Sequence, residues 1–314
     1  MKGRISVAVS ALLIAAGVSA ETLRVNNVVS AGAQYTSFED AMNAAKDGDV
    51  IIIDPSEKSY GDLYITKKVT VKGSGYFIRE NGISKEGEAT STCDDVHMGA
   101  AGAKITGMVV NKKIYMEADN LVVTRNYIVG GGISVCDDYS YTEDHINNGV
   151  IHQNFISMGI RGDNYSASAE NMQVTNNIIS GDGVASIGNM NNSVISRNTA
   201  IGNSPGTGWL KNCVIEYNIG VELQNTDGNN SISNNYDIGS YEAYRLYGGT
   251  SSRTDKSIKE VDATLATDKG AFSGEDPYIL SGLPTGPYIQ DIEMPESVVK
   301  GEDLKVTVKI GISK

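Results

Sequence analysis

Cysteine, histidine and tryptophan are scarce in this 314-residue chain, which holds three, three and one of them, with four phenylalanines and six prolines. The three cysteines, Cys93, Cys136 and Cys213, show no zinc-type spacing, and three histidines without paired spacing exclude a zinc centre of the usual kind. An odd cysteine count allows at most one internal disulfide; "CDD" at 93–95 and 136–138 leaves Cys93–Cys136 open beside three buried thiols. Basic charge is also short. The formal net charge is −12, which argues against nucleic acid, whose phosphates demand a basic face. After residue 20 there is no apolar run long enough to cross a bilayer.

The first twenty residues, "MKGRISVAVSALLIAAGVSA", carry Lys2 and Arg4, an apolar stretch from Val7 to Val18 and a small-residue end, Val18-Ser19-Ala20. This reads as a cleaved secretory signal over 1–20, implying a secreted, periplasmic or cell-envelope protein with no membrane insertion of the mature chain. Removing Lys2 and Arg4 takes the formal charge from −12 to −14. That disfavours a polyanionic polysaccharide held by the overall field, although a bound Ca²⁺ or a basic cleft reverses the sign locally.

What is plentiful is asparagine within short β-branched runs. "VTRNYIV", "IHQNFIS", "VTNNIIS", "ISRNTAI", "IEYNIGV" and "ISNNYDI" align on Asn126, Asn154, Asn177, Asn198, Asn218 and Asn235, at intervals of 28, 23, 21, 20 and 17 residues. Three residues before each stands Val123, Ile151, Val174, Ile195, Ile215 or Ile232. A unit near 20 residues built of short β-branched strands predicts a solenoid. Alternation turns the aliphatic inward together with the residue two before it, as in Leu121, Met172 and Cys213. The chain then turns sharply, and asparagine tolerates left-handed backbone angles. Stacked at one corner, the amides bond to each other and to the turn backbone, which makes them a structural ladder.

This pattern resembles the right-handed parallel β-helix of the pectin-lyase-like superfamily, across about residues 22–290. The resemblance implies an all-β solenoid of about eight coils. Its N-terminal cap would be a helix begun at Thr36 or Ser37, closed by Glu39 or Asp40 in a capping box, with Phe38, Ala41, Met42 and Ala45 on one face. The solenoid spans 21–275. Residues 276–314 form an appendage containing four of the six prolines and the alternating strand "LKVTVKI", expected to turn Val306, Val308 and Ile310 inward against the C-terminal end.

Enzymes of this superfamily place their sites in a groove on one parallel sheet, walled by long loops. The longest interval carries Asp137, Asp138, Glu143, Asp144 and His145 with Tyr139 and Tyr141; the next carries Arg161, Asp163 and Tyr165. Three functions follow. The first is an exported protein contacting a polysaccharide or cell-surface glycan on its lateral face, the tyrosines among the 16 supplying aromatic surface with a hydroxyl. The second is a lyase-like enzyme on a uronate-containing glycan, with Asp137 and Asp138 holding Ca²⁺ and Arg161, Asp163 or His145 in the proton transfer. The third is a structural or adhesive surface protein, in which the acids merely solvate a loop. The polygalacturonase elements "NTD", "DD" and "GHG" do not occur together, so no catalytic motif and no required cofactor is read. Tyr217 and Tyr247 are expected at the surface, as are His97 and His152.

Overall fold

The computed structural model describes residues 20–83, 89–135, 146–162, 169–180, 186–201, 206–207, 209–220, 228–239, 242, 245–248, 253–293, 295, 303 and 305–313. They form an all-β, solenoid-like stack of short, mostly parallel strands. The chain visits a ten-stranded, a six-stranded and a seven-stranded parallel sheet in turn, with a three-stranded parallel sheet between later turns. Successive strands of the ten-stranded sheet pair in register, so that Ile51, Val71, Ile105, Val123, Ile151, Val174, Ile195 and Ile215 make one row. Every one of these side chains is fully enclosed, because a period of two turns the same position inward in each strand. Leu121, Met172 and Cys213 are buried beside them, whereas Ile232, on the last strand, is 40% exposed. Helix α1 (Phe38–Ala44) packs on the first strands through Phe38, Ala41 and Met42. Ser37 caps it, accepting from the Asp40 amide and donating to the Asp40 carboxylate, in place of a full capping box.

The corners divide their work between two residues. Asn126, Asn154, Asn177, Asn198 and Asn218 each donate both the backbone N–H and the side-chain amide to Oδ1 of the next asparagine, at 2.9–3.1 Å, ending on Asn235. The left-handed angle, expected on these asparagines, belongs to the residue before: Arg125, Gln153, Asn176, Arg197, Tyr217 and Asn234. A second set, Asn120, Asn148, Asn171, Asn192, Asn212 and Asn229, takes left-handed angles two residues ahead of each strand, where asparagine is the side chain least penalised.

The left-handed Arg125, Gln153, Asn176 and Arg197 hold the returning chain. Arg197 donates to the Asp268 carbonyl, Asn176 to Ala271 and Ser273, Gln153 to Asp276 and Pro277, and Arg125 to Leu283. Residues 268–286 thus run back along the flank toward the early turns, rather than gathering at the C-terminal end, and Lys72 Nζ donates to the Thr285 carbonyl. Bulky residues persist at left-handed angles here because each gains charge-assisted or amide hydrogen bonds to otherwise unpaired carbonyls.

Helix α2 (Asp255–Leu265), started by a Thr254–Ser257 capping box, lies with this strap over the outside of the six-stranded sheet. Val109, Phe155 and Ile178 there form a second core with Tyr76, Ile258, Ala271 and Tyr278. Tyr247, expected at the surface, is buried in it, its hydroxyl 2.6 Å from Asp262 Oδ1. The six-stranded sheet is therefore covered on both faces, as its mostly apolar strands require. The last strand, Thr307–Ser313, pairs antiparallel with Gly286–Glu293. Val306, just before it, and its Val308 and Ile310 face solvent rather than inward, at 47%, 47% and 65% exposure.

Candidate functional site

With one sheet covered, the outer faces of the seven- and ten-stranded sheets remain. The seven-stranded face is built from apolar–polar–apolar triplets: Leu63-Tyr64-Ile65, Val96-His97-Met98 and Ile114-Tyr115-Met116. The flanking aliphatics are buried, so the middle residue points out. In-register pairing lines up Tyr64, His97, Tyr115, Ser134 and Arg161 in a single row.

The three rings stack. Tyr64 and His97 lie 4.8 Å apart at 8°, and His97 and Tyr115 4.7 Å apart at 9°. This is the strand spacing itself, so the rings sit face to face and present hydrogen-bonding edges outward. His97 Nδ1 is 2.8 Å from Glu117 Oε1, which fixes the imidazole plane, and Lys113 Nζ lies 5.8 Å from the Tyr115 ring centre. Tyr64 ends the row and is 56% exposed. Its ring face away from His97 has no stacked neighbour in the row.

Arg161 occupies an exposed position further along this row, past the buried Ser134, and pairs onward with Gly188. Asp163 and Tyr165, and Asp137, Asp138, Tyr139, Tyr141 and His145, lie outside the described residues. Their segments, 163–168 and 136–145, follow directly after two adjacent strands of this sheet, Ile160–Arg161 and Ile133–Val135. Among the described residues no group of three or more His, Cys, Asp or Glu side chains could hold a metal ion. Cys93 and Cys213 are free and buried, and burial pushes both thiols up; Cys136 is outside the described residues. No helix among the described residues is long and apolar enough to cross a membrane.

The ten-stranded face carries a polar cleft of about 590 Å³ where the strap crosses it, bordered by His152, Thr175, Ser196 and residues 274–276. His152 points outward and is largely covered; its Nε2 lies 3.0 Å from Asp276 Oδ2 and its Nδ1 2.8 Å from Thr175 Oγ1. Burial holds the imidazole below its ordinary proton affinity, opposed by the Asp276 charge.

Neither the aromatic row nor the His152 contact was singled out in the sequence. The row had a signal, since an aromatic enclosed by two aliphatics recurs at three successive turns. His152 and Asp276 are 124 residues apart and had none. Set against known protein families, characterised proteins and solved structures, the chain matches none.

Proposed function

We propose that this is an exported right-handed parallel β-helix protein of the pectin-lyase-like kind, capped by α1, that holds a carbohydrate along the outer face of its seven-stranded sheet. The carrying observation is the Tyr64–His97–Tyr115 stack, with Tyr64 exposed and the other two rings half-buried, while the chain's own C-terminal part covers the neighbouring sheet. Tyrosine hydroxyls and an imidazole edge repeated at strand spacing offer a linear polymer a row of hydrogen-bond partners. Tyr64 adds a ring face for the C–H side of a sugar. The segments carrying Tyr139, Tyr141 and Tyr165 follow in sequence directly after strands of the same sheet. The protein's negative charge favours a neutral glycan, or a uronate bridged through Ca²⁺ at Asp137 and Asp138.

A second reading, a lyase, draws on Arg161: it is an exposed cation in the same register, separated from the rings by the buried Ser134 and suited to take a proton beside a sugar carboxylate. The test is a glycan panel on the purified protein, with and without Ca²⁺, read for binding and for the ultraviolet absorbance of unsaturated uronides. Binding that falls at least tenfold in Tyr64→Ala and Tyr115→Ala supports the platform. Absorbance growth lost in Arg161→Ala makes the protein a lyase. Silence across the panel, or binding indifferent to both tyrosines, refutes the carbohydrate face and leaves a structural or adhesive role.

A further inference from the structure

His152 in the cleft of the ten-stranded face has both ring nitrogens committed. Two proton assignments are open to a neutral ring. With the proton on Nδ1, the ring donates to the Thr175 carbonyl at 3.1 Å and turns the bare Nε2 lone pair onto a carboxylate oxygen of Asp276. With the proton on Nε2, the ring donates to Asp276, and Nδ1 accepts the hydroxyl proton of Thr175. The carboxylate favours the second, since the first sets two acceptors against each other. Asp276 is itself oriented, its other oxygen accepting from Gln153 Nε2 at 3.0 Å. Carboxylate, imidazole and hydroxyl in line are the arrangement by which a base activates an alcohol for attack.

A latch for the strap would use the same pair. The strap, however, is already held by Arg125, Gln153, Asn176 and Arg197, and the relay lies under a cleft rather than a closed seam. Gln173, two residues before Thr175 on the same strand face, and Ser196, its in-register neighbour, border that cleft. Their side chains make no hydrogen bond to the described residues, so both are available to a ligand.

We propose that Thr175, His152 and Asp276 form a nucleophilic relay that cleaves a carboxylic ester, on a face separate from the aromatic row. Thr175 Oγ1 adds to the ester carbonyl carbon while its proton passes to His152 Nδ1. The carbonyl electrons move onto oxygen, where the Gln173 amide and the Ser196 hydroxyl are the donors at hand. The bond to the alcohol then breaks, and the departing alkoxide takes the proton from His152. Water attacks the acyl-threonine, gives its proton to Nδ1, and that proton returns to Thr175 as the acid leaves. Asp276 is a positioning residue: it fixes the tautomer and steadies the imidazolium.

The experiment is hydrolysis of 4-nitrophenyl acetate by the purified protein at neutral pH, with peptide mass spectrometry for acetyl on Thr175. Wild type is expected to exceed Thr175→Val by at least tenfold, Thr175→Ser to keep the activity, His152→Gln to lose it, and Asp276→Asn to shift the pH–rate profile. Hydrogen exchange over 268–285 reports whether the strap stays docked in each variant. Equal rates in wild type and Thr175→Val, with the strap docked and no acetyl on Thr175, overturn the proposal. So does a His152→Gln variant that loosens the strap without lowering the rate, which would make the contact a latch.

Discussion

Replacing Asn177 by Leu tests the corner ladder where it is deepest. Asn177 Oδ1 accepts from the Asn154 backbone N–H at 2.9 Å and from Asn154 Nδ2 at 3.0 Å. Its own amide donates to the Ile151 and Thr175 carbonyls and to Asn198 Oδ1. Leucine removes all of these. Asn154 Nδ2 keeps Val123 and His152 as acceptors, and Asn198 Oδ1 keeps the Asn177 N–H. The Asn154 N–H is left with no partner, at a residue with no exposed surface.

One orphaned buried donor costs about 1–3 kcal/mol. A branched side chain forced into a packed corner adds about 1–3 kcal/mol. The expected loss is therefore about 2–6 kcal/mol, a fall in Tm of roughly 3–10 °C at about 2.1 cal/mol/K per residue over a chain of this length. Asn235 is the control. It accepts from the Asn218 N–H and side-chain amide in the same way, but it is half-exposed, so water can replace the lost acceptor and Asn235→Leu should cost only about 1 kcal/mol. Scanning calorimetry of the two variants decides the matter. Equal shifts, or a Tm for Asn177→Leu within measurement error of wild type, would sink the ladder as a source of stability.

Two further perturbations address the covered face. Asp262 on α2 is 2% exposed and accepts from Thr199 Oγ1 and the Tyr247 hydroxyl, each at 2.6 Å, yet burial raises its pKa to about 6. A raised carboxyl pKa means the ionised form is disfavoured in the fold, so this stability is complete below the ordinary value of 3.8 and is lost as pH rises through 6, by about 3 kcal/mol. Urea denaturation from pH 3 to 7 should show wild type losing that amount relative to Asp262→Asn; parallel curves would contradict it. Gly282 has φ +52°, and a Cβ there would strike the Tyr76 ring and come within 2.6 Å of the Arg125 carbonyl. Gly282→Ala should cost at least about 2 kcal/mol and speed proteolytic nicking between 274 and 286; unchanged nicking would show that the strap is not held there.

The stack was legible because its rule is local and repeated. A β-branched residue three before each asparagine specifies an inward strand position and a corner, and the pairing of Val123, Ile151, Val174, Ile195 and Ile215 follows that alignment residue for residue. What lay one position off was the left-handed angle, since Arg125, Gln153, Arg197 and Tyr217 look like ordinary strand-end residues. Their role is visible only with the strap in place, and that docking joins residues 71 to 158 apart without periodicity. The alternation in "LKVTVKI" correctly signals a strand. Alternation alone does not say what covers the apolar side, and here the partner is another strand's edge, leaving Ile310 and Ile312 at 65% and 76% exposure.

The three long sheets share one core, so their differences lie in the outward rows. On the six-stranded sheet that row is Val109, Tyr127, Phe155, Ile178 and Thr199, most of it apolar and unfit for water, and the chain spends α2 and the strap in covering it. On the ten-stranded sheet the row runs through Thr106, Thr124, His152, Thr175 and Ser196. Those residues tolerate water, and the strap crosses only beside them. The seven-stranded row is different again: Tyr64, His97 and Tyr115 are large and partly apolar, and the strap docks elsewhere, beside the ten-stranded sheet and over the six-stranded one. Stacking removes their faces from water and leaves polar edges outside, a partial solution to their exposure. The outward apolar rows of the parallel sheets are thus either covered by the chain or stacked upon themselves, which is why the proposed carbohydrate contact falls on the aromatic row rather than on the larger ten-stranded face.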